Sequence, residues 1–224
     1  MKVGILVAMD KEAQGIIASL NEVRVEEYKG KTFTFGSIYG KEVVVALAGI
    51  GKVNAAYTTT LMAEKYGVDY LINTGIAGGV GKLKPLTALV VNSVCQHDSD
   101  TTALGDPIGL VSGINKVYFD ADEELVSIIQ KATPKAVVGR VASGDTFVAD
   151  SNKANMIANT FGALACDMEC GAVAQVCYLA GIKFGALKVI SDSAEDGAEI
   201  TYEEIALHAC EVNAKAVVQI LQTL

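Results

Sequence analysis

Hydrophobic runs of four to seven residues recur along the chain, and polar and apolar positions do not clearly alternate within them. Strands with this pattern are covered on both faces of a sheet. The runs predict strands at Val3 to Ala8, Val43 to Ala48, Tyr70 to Asn73, Ala88 to Val94, Ala136 to Ala142 and Phe184 to Ile190.

The segments between these runs carry apolar residues at helical spacing. They predict helices at Asp10 to Leu20, Lys52 to Tyr66, Glu123 to Lys131, Ser151 to Asn159, Glu169 to Ala180 and Tyr202 to Leu221. Because strands alternate with helices, the sequence predicts the α/β class, with a three-layer α/β/α sandwich around a mixed, mainly parallel central sheet.

One segment, Val25 to Gly40, has a different pattern, with aromatic and β-branched residues placed around glycines. It predicts a hairpin added to the sheet. No linker rich in proline, glycine or serine divides the sequence, and no repeat of 20 to 50 residues occurs in it. We therefore expect residues 1–224 to form a single domain.

Composition narrows the class of protein. The 224 residues are 51% hydrophobic and 20% charged, enough apolar surface to bury a large core. The apolar runs are far shorter than the roughly 18 residues that span a bilayer. Acidic Asp10 follows the first run too closely for a signal peptide. We therefore expect a cytoplasmic protein with no membrane partner.

Charge, cysteine usage and histidine count argue against nucleic-acid binding, a disulfide framework and a metal site. The net charge of −8 and the presence of only two arginines, Arg24 and Arg140, provide no basic face for nucleic acid. The five cysteines form no CxxC pair, and His97 and His208 are the only histidines. The sequence therefore predicts neither a disulfide framework nor a metal site.

Glycines near the ends of several predicted strands raise the question of a phosphate-binding loop. Gly49 and Gly51 lack the third glycine of a GxGxxG element. No glycine–lysine pair completes a GxxxxGK[ST] loop, and the closest, at Gly30, has Val25 where the first glycine should stand. We therefore expect no dinucleotide or other cofactor.

Acidic and small residues follow the predicted strands instead, at the edge where an open parallel sheet forms its ligand crevice. They occur in MDKE from Met9, GIAGG from Gly75, SGDTFV from Ser143, DME from Asp167 and SD from Ser191. This placement favours a small-molecule site built from several strand ends.

Six strings, MDKE, AGIGKVNAA, NTGIAGG, SGDTFV, DMECGAVAQVC and KVISD, together resemble the 5′-methylthioadenosine/S-adenosylhomocysteine nucleosidases of the nucleoside phosphorylase family. The resemblance runs from Val3 to the last helix. It implies a nucleoside phosphorylase-like fold and hydrolysis of the N-glycosidic bond of an adenine nucleoside. It also implies a homodimer in which the partner closes the 5′ end of the pocket.

The resemblance implies two catalytic carboxyl groups. Asp192 would be the acid that protonates N7 of the leaving purine, although by itself it is more typical of a residue that caps the turn after it. Glu12 would be the base that activates the attacking water. Its position at the start of a helix is also typical of a cap or a surface charge.

Further residues would bind the substrate. Glu169 would accept hydrogen bonds from the ribose hydroxyls, Met168 would contact the sugar face, and Phe147 would stack on adenine, although Met168 and Phe147 are equally typical of core positions. The other candidates are Val148 and Ser191 near the base, Ile76, Ala77 and Gly78 in NTGIAGG, and Met9, Ile50, Leu104 and Tyr202 around the 5′ substituent.

Two positions depart from the family pattern: Ile76 stands where a serine is usual and Lys188 where an arginine is usual. Lys188 remains a candidate for positioning water or ribose, without the planar fork of a guanidinium. Two alternatives stay open, a phosphorolytic purine nucleoside phosphorylase and a nucleoside-binding protein without chemistry. The identity of the 5′ substituent, including futalosine-type nucleosides, is also open.

Overall fold

The computed structural model describes residues 1–80, 83–193 and 202–224, without the side chains of residues 192, 193 and 202. The strands are β1 (Lys2–Val7), β2 (Asn21–Tyr28), β3 (Lys31–Ile38), β4 (Lys41–Leu47), β5 (Tyr70–Gly79), β6 (Ala88–Gln96), β7 (Phe119–Asp120), β8 (Val137–Ser143), β9 (Ala163–Asp167) and β10 (Lys183–Ser193). The helices are α1 (Asp10–Ile17), α2 (Lys52–Glu64), α3 (Glu123–Ala132), α4 (Ser151–Phe161), α5 (Cys170–Ala180) and α6 (Tyr202–Thr223).

A mixed sheet in the order β10-β6-β8-β9-β5-β1-β4-β3-β2 forms the central layer, and β7 pairs with β6. One apolar cluster joins the sheet to α2 and α5, and a second joins it to α1, α3 and α6. Helices therefore cover the sheet in two layers. The predicted three-layer α/β/α sandwich is confirmed.

The sheet closes on itself because β10 pairs with β5 as well as with β6. Strands β6, β8 and β9 run parallel to one another, as do β1, β4, β5 and β10. The two groups meet where β5 and β9 pair antiparallel through Gly78 with Cys166 and Gly79 with Ala165. Only the last residues of these two strands overlap, so the carboxyl ends of both groups converge at one place.

All six predicted strands and all six predicted helices are present, with ends shifted by a few residues. The hairpin is confirmed as β2 and β3. Strands β7 and β9 were not predicted, because each is short. Strand β5 continues through Gly79, and β10 through Ser193. The last residues of these two strands carry few large side chains, so the sequence pattern indicated loops there rather than strands.

The helices pack on the sheet through one face. Helix α6, the longest, buries Val217, Ile220 and Leu221 against β-strand residues and begins with two glutamates, Glu203 and Glu204. Among the described residues, none of the helices has both the length and the apolar character that crossing a membrane requires.

Candidate active site

A cavity lies where the two groups of strands converge, with about 640 Å³ of atom-free space that is partly continuous with solvent. Clefts at the carboxyl ends of strands are common small-molecule sites. The sequence-predicted residues that line it are Met9, Glu12, Ile50, Ile76, Ala77, Gly78, Phe147, Val148, Met168, Glu169 and Ser191.

Four further residues, Ala8, Thr146, Cys166 and Asp167, also line the cavity. Sequence reasoning did not assign them to the site. Ala8, Thr146 and Asp167 each adjoin a predicted site residue, and this adjacency was the available signal. Asp167 was interpreted only as part of the DME string, and Cys166, which precedes it, carried no signal of its own.

Two predicted residues are not part of the described cavity wall. Leu104 ends a short 3-10 turn, Thr102–Leu104, and is 82% exposed. The loop around it folds on itself, because the Gly109 N–H donates to the Ser99 carbonyl. Leu104 is thus absent from the described cavity wall, and its role near the 5′ substituent stays a prediction. Lys188 is the other residue and is described below.

Two predictions concern side chains outside the described residues. The side chain of Asp192 is one of them, although its backbone belongs to β10 and pairs with Gly78 of β5. The side chain of Tyr202 is the other, and only its position at the start of α6 is described.

Glu12 is held in one orientation by three backbone N–H groups. Its Oε2 atom accepts hydrogen bonds from Ala8 and Met9, both at 2.9 Å. Its Oε1 atom accepts one from Ile76 at 3.0 Å. The side chain is buried at the cavity wall. Because the donors come from the end of β1 and from β5, the carboxylate joins the two strands.

Gly75 makes this arrangement sterically possible. Its φ angle of +145° lies in a region that other residues rarely adopt. A Cβ atom placed on Gly75 would lie 2.4 Å from Oε1 of Glu12. Only glycine leaves room for the carboxylate against β5.

Glu169 is the residue that immediately precedes α5, and it is buried. Its Oε1 atom accepts a hydrogen bond from the N–H of Gly51 at 2.8 Å. Burial and the nearby charge of Asp167 raise the pKa of Glu169 to about 7, against the opposing effects of Lys188 and the Gly51 hydrogen bond. Glu169 is therefore a carboxyl group that changes charge close to neutral pH.

Lys188 and Asp167 form a buried ion pair, with 2.8 Å between Nζ and Oδ2 and with both side chains only 2% exposed. Asp167 also accepts hydrogen bonds from the Ser143 hydroxyl and from the Cys170 N–H. Burial lowers the pKa of Lys188 and is the largest single effect, but the combined effects of Asp167, Cys170 and Glu169 outweigh it, and the pKa is raised.

The ion pair shows where Lys188 lies relative to the site. Asp167 lines the cavity and Lys188 does not, among the residues that the structure describes. The Lys188 ammonium is therefore separated from the described cavity wall by its partner Asp167. That Lys188 positions water or ribose stays a prediction.

Neither arginine belongs to the cavity wall. Arg24 lies over the Phe35 ring and pairs with Glu26. Arg140 donates to the Ser93 hydroxyl and to the Phe161 carbonyl. The described wall thus has three carboxyl groups, Glu12, Asp167 and Glu169, and no guanidinium. This charge pattern suits a ligand that donates hydrogen bonds better than it suits an anion.

The loop after β8 supplies an aromatic part of the wall. Thr146, Phe147 and Val148 line the cavity, and Phe147 is 62% exposed. An exposed ring at a cavity wall offers a face on which a planar ligand can stack. Among the described residues, no group of three or more histidines, cysteines or acids is placed to hold a metal ion.

The chain matches the model of the phosphorylase superfamily over residues 2–224. It is 36% identical over 231 residues to a 5′-methylthioadenosine/S-adenosylhomocysteine nucleosidase of Shewanella loihica, with 100% of both sequences covered. The same enzyme from Neisseria meningitidis, solved in complex with methylthio-immucillin-A, has a TM-score of 0.94 at 33% identity, covering 100% of this chain and 99% of that one.

A futalosine hydrolase of Helicobacter pylori is similar to the same degree in fold. It has a TM-score of 0.94 at 29% identity, and the match covers 100% of this chain and 98% of that one.

The buried ion pair leads to a prediction about stability. Lys188→Met would leave the Asp167 carboxylate buried without its cation, which costs about 3–5 kcal/mol. We expect the free energy of unfolding, measured by urea titration, to fall by that amount. Lys183→Met is the matched control, because Lys183 pairs with Glu124 at 2.6 Å with both side chains largely exposed. It should have little effect. Equal losses in the two variants would contradict the assignment.

Proposed function

The chain belongs to the phosphorylase superfamily and to its 5′-methylthioadenosine/S-adenosylhomocysteine nucleosidases, and we propose that it hydrolyses the N-glycosidic bond of one or both of these nucleosides. The products are adenine and a 5-thioribose. The observation that carries the proposal is the Glu12 carboxylate, held by three backbone N–H groups in the wall of the cavity. The family model covers residues 2–224, which supports one catalytic unit.

In the proposed mechanism Glu12 is the general base. Water donates a proton to the Glu12 carboxylate as its oxygen attacks C1′ of the ribose. The bond from C1′ to N9 breaks, and its electron pair moves into the purine. The fixed carboxylate supports this role because a base must hold its acceptor atom toward the water without first reorienting.

Asp192 is the proposed general acid, which donates a proton to N7 as the purine leaves. Two observations support it. Its backbone pairs with Gly78, which lines the cavity, and the preceding residue, Ser191, lines it as well. The backbone of Asp192 lies at the same edge of the sheet as the end of β5, where Glu12 binds. An acid in this role would have to stay protonated until it donates its proton to the departing base.

Glu169 is the proposed acceptor for the ribose hydroxyl groups. As a buried carboxylate it forms stronger hydrogen bonds with hydroxyl donors than a neutral group would. Met168 would contact the sugar face, Phe147 would stack on adenine, and the Val148 backbone would meet the edge of the base. Ala77 and Gly78 leave room for the nucleoside because their side chains are small or absent.

Hydrolysis is favoured over phosphorolysis by the charges at the cavity. A phosphate dianion needs cationic groups, and both arginines are engaged elsewhere. Glu12 would repel an anion at the position of the attacking water. Asp167 and Glu169 add to that repulsion, and the single lysine among these groups is neutralised by Asp167.

The 5′ substituent is the open part of the substrate. Met9, Ile50 and Ile76 give the cavity an apolar side that suits an alkylthio group. The similarity to a futalosine hydrolase supports a second candidate, a nucleoside with a larger 5′ substituent.

We also propose a homodimer in the cytoplasm. An exposed apolar patch lies at the start of α2, beside the cavity. It consists of Ile50, just before the helix, and of Val53 and Tyr57 in its first two turns. Burial of such a patch by a second copy is a common use of exposed apolar surface. All five cysteines are buried thiols outside any disulfide, which suits a reducing compartment.

The substrate proposal predicts adenine release without phosphate. Incubation with 5′-methylthioadenosine, S-adenosylhomocysteine or futalosine in phosphate-free buffer, followed by chromatography, should yield the free base from at least one of the three. Glu12→Gln should lower kcat by about 10²- to 10⁴-fold while preserving the fold. Glu42→Gln, at an exposed position on β4, is the matched control and should retain activity. Release only after phosphate is added would indicate a phosphorylase, and binding without turnover a non-catalytic protein.

Glu169 predicts a pH dependence. Its pKa of about 7 means that the carboxyl group loses its proton near neutral pH, and only the ionised form accepts both ribose hydroxyl hydrogens. We therefore expect kcat/KM to rise as the pH increases through about 7. Glutamine has no such ionisation, so Glu169→Gln should lose this limb of the profile. An unchanged limb in the variant would assign it to another group.

The dimer predicts a change in mass on substitution. Sedimentation should give the mass of two 23.4 kDa chains for the wild type. Val53→Glu places a charge in the proposed interface and should shift the protein toward one chain. Val25→Glu, at another exposed valine on the outer strand β2, should remain a dimer. A monomeric wild type would refute the proposal.

A further inference from the structure

Lys52, Asp98 and Asp145 are joined beside the cavity by a closed cycle of hydrogen bonds, which we call the Lys52–Asp98–Asp145 ring. The Lys52 backbone N–H donates to Oδ1 of Asp145 at 2.7 Å. The Asp145 backbone N–H donates to Oδ2 of Asp98 at 2.9 Å. The Lys52 ammonium donates to Oδ1 of Asp98 at 2.6 Å. The ring thereby connects the start of α2 to the loops after β6 and β8.

The ring holds a loop that has no regular structure of its own. Residues 144–150 connect β8 to α4 without a described helix or strand, and they carry three residues of the cavity wall. Phe147 is mostly exposed at the cavity wall. At the start of this loop, the Gly144 N–H donates to the Asp167 carbonyl at 3.0 Å. Asp145 then fixes the backbone two residues before Phe147.

The same turn of α2 also holds Glu169. The N–H of Gly51 donates to Glu169, and the next N–H, that of Lys52, donates to Asp145. These groups lie at a helix N-terminus, where N–H groups have no partner within the helix and favour carboxylates. Two consecutive N–H groups therefore set the spacing between the proposed ribose-binding acid and the aromatic loop.

The Lys52 side chain is itself anchored. Its ammonium donates a second hydrogen bond to Oε1 of Gln96 at 3.1 Å. The Gln96 amide in turn donates to Gln175 of α5. Helix α5 begins directly after Glu169, so the ring is tied to the ribose side of the cavity by a second route.

We propose that Asp145 is a positioning residue for the base, acting through the Lys52–Asp98–Asp145 ring to hold Phe147 at a fixed separation from Glu169. The inference rests on the proposed function, because it takes the ligand of this cavity to be an adenine nucleoside. Phe147 would stack on the base in the ground state and in the transition state alike. Asp145 therefore contributes to KM more than to kcat.

The test compares Asp145→Ala with Asp145→Asn. Alanine removes the acceptor for the Lys52 N–H, whereas asparagine keeps an oxygen at that position. Loss of one hydrogen bond to a charged group should raise KM about tenfold in Asp145→Ala, with kcat changed less than about threefold. Asp145→Asn should recover most of the affinity. Glu124→Ala is the control. It removes a carboxylate that pairs with Lys183 at 2.6 Å outside the cavity wall, and it should leave both constants unchanged.

Two measurements do not require turnover. Titration with adenine should show about tenfold weaker binding to Asp145→Ala than to the wild type, with Asp145→Asn between them. Amide hydrogen exchange should be faster at Lys52 in Asp145→Ala, because its N–H has lost its acceptor. If the wild type binds adenine but cleaves no nucleoside, the proposed function fails and these measurements still test the ring.

Three results would overturn the proposal. One is an unchanged KM and adenine affinity in Asp145→Ala. Another is a loss confined to kcat, which would indicate a role in the chemical step. The third is an asparagine variant that is as impaired as the alanine variant, because the hydrogen-bond acceptor would then not be the feature that matters.

Discussion

The short antiparallel contact between β5 and β9 is the constraint on which the site depends. Two groups of strands point their carboxyl ends at each other, and Gly78 and Gly79 join them to Cys166 and Ala165. Groups that follow strands in both sets therefore meet in one cavity. At this contact Glu12, which follows β1, and Glu169, which follows β9, line the same cavity.

The converging strand ends bring three acidic side chains to one cavity, and nearby N–H and ammonium groups stabilise their negative charge. Three backbone N–H groups bind Glu12, one binds Glu169, and the Lys188 ammonium binds Asp167. The compensation differs among the three acids. Glu169 receives the least, and its pKa is raised to about 7 by burial and by Asp167. One of the acids is thereby able to change its charge near neutral pH.

The sequence was sufficient to predict the layers, the six main strands and the six helices, because each depends on a local pattern of apolar residues. It also placed eleven site residues at the cavity through their family resemblance. It did not predict the Asp167–Lys188 pair, since that contact depends on which strands lie side by side. The Lys52–Asp98–Asp145 ring joins positions up to 93 residues apart and carried no local signal.

Gly75 limits how this site can diverge over time. Its backbone lies against the Glu12 carboxylate, and the space of a single methyl group is already occupied by an oxygen atom. A duplicated gene that acquired alanine here would have to move the Glu12 carboxylate in the same step. New substrate preferences are therefore accessible through the loops and the apolar side of the cavity, while this point on β5 is closed to gradual drift.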